Sequence, residues 1–421
     1  MLNPNFSIKY SHLKTVLATL KDFCVKKSTS VHFLLVRVRT LKDMVEFYAY
    51  TPDNEQITLT CHATIHNPLP KDLGIYTQDL IRTLSTGFTP TEEISFSHTN
   101  GSLTLDYSVP RLAISGTVHC EEWLTPDYDL FPNVKPEGEY ILVRFQEGTL
   151  SKALDSLPAT LGMKPNMDRV ILDVLNGRVV ALSTDAKTLT AVSSDTDAYL
   201  DGKEIGEVMD VLRYRPTISD RIVKAICTLS KKDTASLHIR LANDNGKDLV
   251  RLSVQASNSP ISAHFDTERR SGFDTHHVWP RKDNTHVRIK GLVSALLEPL
   301  THVCSQVPRN HGVWLDLSVG HTPRFLVNYV DKARTFKVDV PVTLLEQEYH
   351  REGDLVFAFD PRLLQTFLKG LSRTGVVTID LPAYPFGPML CSCLNIKTLI
   401  MPMRSGDGDK TYKTEEGDEN A

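Results

Sequence analysis

Apolar side chains along this chain fall repeatedly at the i, i+3, i+4 and i+7 spacing of an amphipathic helix, in two alternating styles. In one style the stripe follows a residue able to cap a helix N-terminus. Thr77 precedes Leu80, Ile81 and Leu84; Ser219 precedes Ile222, Val223, Ile226 and Leu229; Asp360, with Pro361 at the first helical position, precedes Leu364, Phe367, Leu368 and Leu371. These caps stand 142 and then 141 residues apart (219 − 77 and 360 − 219). The other style keeps the same period. Ser11 precedes Leu13, Val16, Leu17, Leu20 and Cys24; Thr149 precedes Leu150, Leu154, Leu157 and Leu161; Lys290 precedes Leu292, Leu296, Leu300 and Val303. Pro158 and Pro299 fall late in the second and third of these stripes and predict a kink or an early end there.

Short alternating segments lead into the second set of stripes, from Phe6 to Tyr10, from Tyr140 to Phe145 and from Thr285 to Ile289, and read as strands. The predicted unit is strand, helix, strands, helix, strands, repeated three times at roughly 140 residues. Amphipathic helices are common singly; their ordered spacing is what marks a repeat. At about 100 to 200 residues per domain, 421 residues accommodate three copies. The boundaries expected are 1–136, 137–284 and 285–404. Residues 405–421, with six acidic side chains against Lys410 and Lys413 and almost no apolar content, read as a flexible acidic tail.

Composition narrows the class. Hydrophobic content of 41% and charged content of 23% are ordinary for a globular protein. No basic-then-apolar leader and no uncharged apolar run of about 18 residues is present, so a soluble, cytoplasmic protein without a membrane partner is expected. Seven dispersed cysteines suit a reducing compartment and small core side chains. A net charge of −4 argues against a protein that grips nucleic acid over its whole surface, while leaving room for a local basic face.

Enzyme-like and metal-like signals are weak. No Gly-rich phosphate loop is found, so no nucleotide cofactor is expected. Cys391 and Cys393 lack the spacing of a zinc knuckle and read as a pair sharing one face of a strand. His276 and His277 read as surface or loop histidines, and Glu121 and Glu122 as an exposed turn; neither pair makes a metal or acid-base site. Nothing converges on a catalytic cluster, and no metal is expected. The segment Leu399-Ile400-Met401-Pro402-Met403-Arg404 stands apart, because adaptable methionines flank a proline just beyond an apolar strand. Composition alone leaves a terminal strand finishing the last core as the simpler reading, beside a binding groove. The helices also offer basic side chains opposite their stripes: Lys14, Lys21, Arg82, Lys152, Arg221, Lys224, Lys290, Arg362 and Lys369. Point charges of this kind touch phosphates without reading bases; a solvated mixed-charge face is the alternative.

Taken together, the repeat and these landmarks resemble the bacterial DNA polymerase III beta subunit family, the sliding clamps. The family's chain end is a strand running into Met-Pro-Met-Arg, as Met401 to Arg404 do here. Its second-domain segment Thr-Asp-Gly-His-Arg-Leu is similar to Thr184-Asp185-Ala186-Lys187-Thr188-Leu189, and its Arg-Arg-Val-Leu-Pro to His276-His277-Val278-Trp279-Pro280. An Asp-Phe-Pro-Asn turn closing the first domain resembles the stretch from Asp129 to Asn133, and the family's strand and second helix in the third domain resemble the stretch from Val356 to Leu364. The likeness runs from about residue 5 to 404. Ala186, Lys187 and Thr188 depart from the family's Gly-His-Arg, the chain continues beyond Arg404, and an insertion from Asp201 to Tyr214 carries Ile205, Val208 and Met209 as the apolar side of an extra short helix. A diverged clamp of a bacterial virus or plasmid would account for such drift.

What the resemblance implies is an α+β DNA clamp fold of three similar domains, each with two helices packed on antiparallel sheets, two chains closing into a homodimeric ring around duplex DNA. Such a protein is a non-enzymatic processivity factor. It tethers a DNA polymerase, and meets its clamp loader, through short peptides bound between the second and third domains. Carried over by position, that pocket would be lined by Val170, Thr184, Leu189, Val278, Pro280, Leu399, Met401, Pro402, Met403 and Arg404. The acidic tail, which the family lacks, is expected to meet Arg404 and compete for the pocket. The basic helix residues would face the DNA without sequence preference. A repeat-built interaction scaffold that does not encircle DNA is the alternative.

Overall fold

The computed structural model describes residues 4–25, 28, 30–84, 93–109, 112–123, 140–145, 169–175, 178–184, 187–194, 199–200, 203–204, 217–230, 235–244, 247–256, 261–268, 279, 285–308, 312–318, 324–330, 335–341, 343–347, 355–382 and 387–403. It is an α+β fold dominated by antiparallel strands. Two compact units emerge: one from Met1–Asp155, Asp168–Ala181 and Ser193–Gly272, the other from Ser156–Met167, Leu182–Val192 and Phe273–Ala421.

In the first unit, helix α1 (Tyr10–Phe23) buries Leu13, Val16, Leu17 and Leu20 as the periodicity requires, and adds Phe23. Its N-cap is Lys9, with no side-chain cap bond, so Ser11 lies inside the helix. Helix α2 (Thr77–Leu84) opens at Thr77 and buries Leu80 and Leu84. Helix α3 (Asp220–Ser230) follows Ser219, whose Oγ accepts from the Ile222 backbone N–H at 3.4 Å, as a cap should. The stripe expected to follow Thr149, with Pro158 and Lys152, lies outside the described residues. So does most of the insertion from Asp201 to Tyr214, apart from the two-residue strand Lys203–Glu204.

Alternation decides which strand faces are buried. In Gln56–His62, Ile57, Leu59 and Cys61 are fully buried while Thr58 and Thr60 are half-buried. That strand pairs with Met44–Tyr50 on one side and with Ile261–Glu268 on the other, matching Cys61 to Ile261, Leu59 to Ala263 and Ile57 to Phe265. One strand ladder thus runs from the N-terminal strands through to Ile261–Glu268 within this unit. The helices follow: Phe23 of α1 packs on Phe265 with ring centroids 6.2 Å apart, and the Thr228 hydroxyl on α3 donates to Asp22 on α1 at 2.7 Å. At the junction, buried Glu55 accepts from the Ser219 hydroxyl at 2.9 Å, and Arg221 pairs with Asp53 at 2.8 Å. Close approach also explains Gly116, where any Cβ would stand 2.7 Å from the Thr83 Cγ2 of α2. Glu121 and Glu122, read from sequence as a turn, instead end the strand Leu112–Glu122, with Glu122 bound to Lys71 at 2.7 Å.

The second unit has two antiparallel sheets. In one, the order is Thr188–Ser193, Ile396–Ile400, Met389–Cys393, Val376–Pro382, Thr285–Leu292, Thr343–Gln347; in the other it is Thr335–Pro341, Arg324–Val330, Val313–Ser318, Leu355–Phe359. Helices α4 (Val293–Gln306) and α5 (Pro361–Lys369) share a core with them. Val293, Leu296, Leu300 and Val303 are almost wholly buried, each worth about 2 kcal/mol of transfer free energy. That anchorage carries α4 past Pro299 to Gln306, so the early end expected there does not occur. The helix also begins later than the pattern predicts. Lys290 and Leu292 belong to the strand Thr285–Leu292, and Leu292 is the N-cap, 51% exposed. Asp360 caps α5 as expected, its Oδ1 accepting from the Arg362 N–H at 3.0 Å with Pro361 at the first position.

Candidate functional site

The terminal segment beyond Ile396–Ile400 is held by main-chain bonds to two different partners. Met401 N–H donates to the Lys187 carbonyl and Met403 N–H to the Ala358 carbonyl, both at 2.9 Å. An extended chain turns successive amides to opposite sides, so residues 401 and 403 share one edge and Pro402, which has no N–H, occupies the position that needs none. Met403 settles over Gly312, where an added Cβ would lie 3.5 Å from its Sδ. The turn before Thr188 is tied by the Thr184 hydroxyl donating to the Thr188 carbonyl at 2.7 Å. Inside, the Thr190 and Thr398 hydroxyls meet at 2.9 Å and are buried.

These bonds separate the lining from its support. Leu189 and Leu399 are direct cross-strand partners, buried to 4% and 0% exposure, so they underpin the site and offer no open surface. Met401 is exposed, and Thr184, Pro402 and Met403 are half-buried, which leaves these four as the accessible part. Val170 is fully buried and belongs to the first unit. Val278, Pro280 and Arg404 lie outside the described residues. Trp279, which sequence reasoning passed over, is half-buried and has a buried indole N–H without a hydrogen-bond partner among the described residues. The only sequence signal for it was its place beside Val278.

The basic residues divide by what they touch. Lys14 and Lys21 are exposed on α1, two turns and about 10.5 Å apart on one face. Lys369 is exposed in the last turn of α5. Arg82, exposed on α2, lies 3.9 Å from Asp79, and Lys224 pairs with Asp220 at 2.5 Å. Arg221 is held by Asp53 in the junction described above. Lys290 is exposed, but on a strand and not a helix. Arg362 is engaged: its guanidinium donates to the carbonyls of Cys304, Val307 and Pro308 at the end of α4. Lys152 lies outside the described residues.

Other chemistry is scarce. Among the described residues no three of His, Cys, Asp and Glu gather as a metal site would need, and no helix is long and apolar enough to cross a membrane. None of the seven cysteines is in a disulfide. Burial pushes the Cys24 and Cys61 thiols up to about 12 and Cys391 higher still, as expected of inert core side chains. Cys391 and Cys393 do share the buried face of the strand Met389–Cys393. His276 and His277 are outside the described residues.

This arrangement of strands and helices defines a sliding-clamp fold. Solved structures that it matches include DNA polymerase III beta subunits. The one from Thermotoga maritima aligns with a TM-score of 0.69 at 14% identity, covering 95% of this chain and 99% of that one. The sliding clamp of Pseudomonas aeruginosa bound to griselimycin gives 0.69 at 14% identity over 96% and 100%, and the beta subunit of Borrelia burgdorferi in complex with a natural product gives 0.70 at 10% over 96% and 100%. No family model and no curated protein matches the sequence. The chain therefore has the fold of the bacterial beta clamps along nearly its whole length, with a sequence far removed from theirs.

Proposed function

We propose that the chain is a DNA sliding clamp, a non-enzymatic processivity factor that closes as a homodimeric ring around duplex DNA and tethers a polymerase. The observation that carries this reading is the near-complete correspondence with beta subunits, 95% of this chain against 99% of the Thermotoga maritima subunit. On this reading residues 1–136, 137–284 and 285–404 are three clamp domains and 405–421 a tail. Two chains supply the closed circle, and the link to DNA is topological. Tight binding would stop sliding; duplex DNA offers a charge about every 1.7 Å, so a few exposed lysines attract it without choosing a register. Lys14, Lys21 and Lys369 suit that role best, being exposed and outside any ion pair among the described residues. Arg362 suits it least.

Partner peptides of the polymerase and clamp loader would dock on Met401, Pro402, Met403 and Thr184. Apolar anchors there supply most of the affinity. The test loads the protein on nicked circular DNA with a clamp loader. Retention that survives moderate salt and is lost on linearisation is expected, with Lys14→Glu/Lys21→Glu shortening the residence time several-fold. Equal loss from circular and linear DNA would refute encirclement and leave the scaffold reading.

A further inference from the structure

Leu292, Val376 and Leu394 stand 51%, 40% and 95% exposed, three of the five large apolar side chains so exposed among the described residues. They are not scattered. Leu292 and Val376 are direct antiparallel partners, so their side chains point to the same face. Leu394 follows directly on the strand Met389–Cys393, whose Ser392 pairs with Thr378, in the turn at the same end of the sheet. Three exposed apolar residues therefore stand at the ends of three neighbouring strands. The opposite face of these strands is the buried one, with Ile289, Val377, Ile379 and Cys391 at 1% exposure or less.

The backbone adds a second observation. Leu394 sits in the turn between Met389–Cys393 and Ile396–Ile400 with φ of 52°, a left-handed conformation that glycine or asparagine adopts readily and a leucine does not. A leucine kept there and held almost wholly in water serves neither the turn nor the core. The next row on the same face is Lys290, Thr378, Ser392 and Lys397, by direct pairing. Both lysines are exposed and neither takes part in an ion pair among the described residues. One row further, Arg288 is paired with Asp380 at 2.6 Å.

We propose that this face of the second unit is a docking surface for a short segment of another protein that alternates apolar and acidic side chains. The apolar side chains cover Leu292, Val376 and Leu394, and the carboxylates meet Lys290 and Lys397. An occupant of this chemistry answers both features at once: it covers the three apolar residues and pairs the two lysines. The surface is built on strand ends away from Met401 and Met403, and it does not depend on DNA encirclement.

The test uses the full chain and a fluorescein-labelled ten-residue peptide alternating Leu or Phe with Asp or Glu, followed by polarisation. A control peptide carries Lys at the acidic positions. Saturable binding of the acidic peptide alone is expected, weakened at least tenfold by Leu394→Asn, which the turn tolerates, and by Lys290→Glu/Lys397→Glu, and unchanged by Met403→Ala. Absence of binding, equal binding by the control peptide, or indifference to both the Leu394 and the lysine variants overturns the proposal. Loss with Met403→Ala does so too, by assigning the peptide to the terminal segment. A fall in solution mass caused by Leu394→Asn also overturns it, because the apolar residues would then be a contact between copies of this chain. Should the leucine variant fail to fold, the exposed lysine pair carries the test by itself.

Discussion

Replacing Arg362 by alanine separates a structural role from a DNA-facing one. Its guanidinium reaches back from α5 to the carbonyls of Cys304, Val307 and Pro308, capping the end of α4, where backbone acceptors lack helical partners. Each charge-assisted bond is worth about 1.5 kcal/mol at the least when its acceptor is shielded. Pro308 is exposed, so water replaces that bond at little cost; Val307 is buried and Cys304 half-buried, so those two are lost. Allowing for partial rehydration, the change costs about 2 kcal/mol, or ~30-fold in a local opening equilibrium. Because the chain has two units, a single unfolding midpoint would blur the effect. Native-state hydrogen exchange is the better assay: the last turn of α4 loses about 30-fold protection while α1 keeps its own. Arg362→Lys restores part of the loss, since one ammonium cannot span three acceptors. DNA residence on nicked circles stays within twofold of wild type. Unchanged protection at α4 with shortened residence on DNA would refute the reasoning and return Arg362 to the DNA-facing set.

Two further outcomes follow from the same geometry. Met403→Ala removes a side chain packed over Gly312 and lowers affinity for a polymerase-tail peptide by tenfold or more in fluorescence polarisation, while the sedimenting mass stays that of the unaltered protein; unchanged affinity would exclude this segment as the anchor. The Cys24 and Cys61 thiols, raised from 9.0 to about 12, hold their protons more tightly folded than unfolded. Their contribution to stability is thus complete below pH 9 and fades as the pH rises towards 12, so alkaline titration loosens the first unit, and Cys24→Ala/Cys61→Ala, although less stable at pH 8, shows a flatter decline above pH 9.

Much of the architecture was legible in the sequence because burial imposes a period. The stripe from Leu13 to Leu20 and the caps at Ser219 and Asp360 were readable for that reason, and so was the terminal Met-Pro-Met segment, whose residue types are unusual. What failed did so at switches and surfaces. Lys290 and Leu292 match a helical stripe by number, yet the chain is still a strand there, since period-2 and period-3.6 patterns overlap over so few residues. Leu189 and Leu399 looked like lining, but apolar residues beside a site are open or buried according to what covers them. Arg362 was indistinguishable from Lys369 as a positive charge on a helix; only the nearness of the α4 end reveals its engagement. Leu394 gave no signal at all, because its meaning lies in a backbone angle and in neighbours from two other strands.

The ladder joining Gln56–His62 to Ile261–Glu268 has a consequence for anyone who would dissect the repeat. A fragment keeping Gln56–His62 without Ile261–Glu268 would present Ile57, Leu59 and Cys61 along a bare strand edge, and the converse fragment would present Ile261, Ala263 and Phe265 along another. Unpaired edges of that length and apolarity recruit any chain that meets them. Each strand acts as the other's gatekeeper, so fragments that part them should be produced with a charged residue in the exposed edge, or as the joined pair.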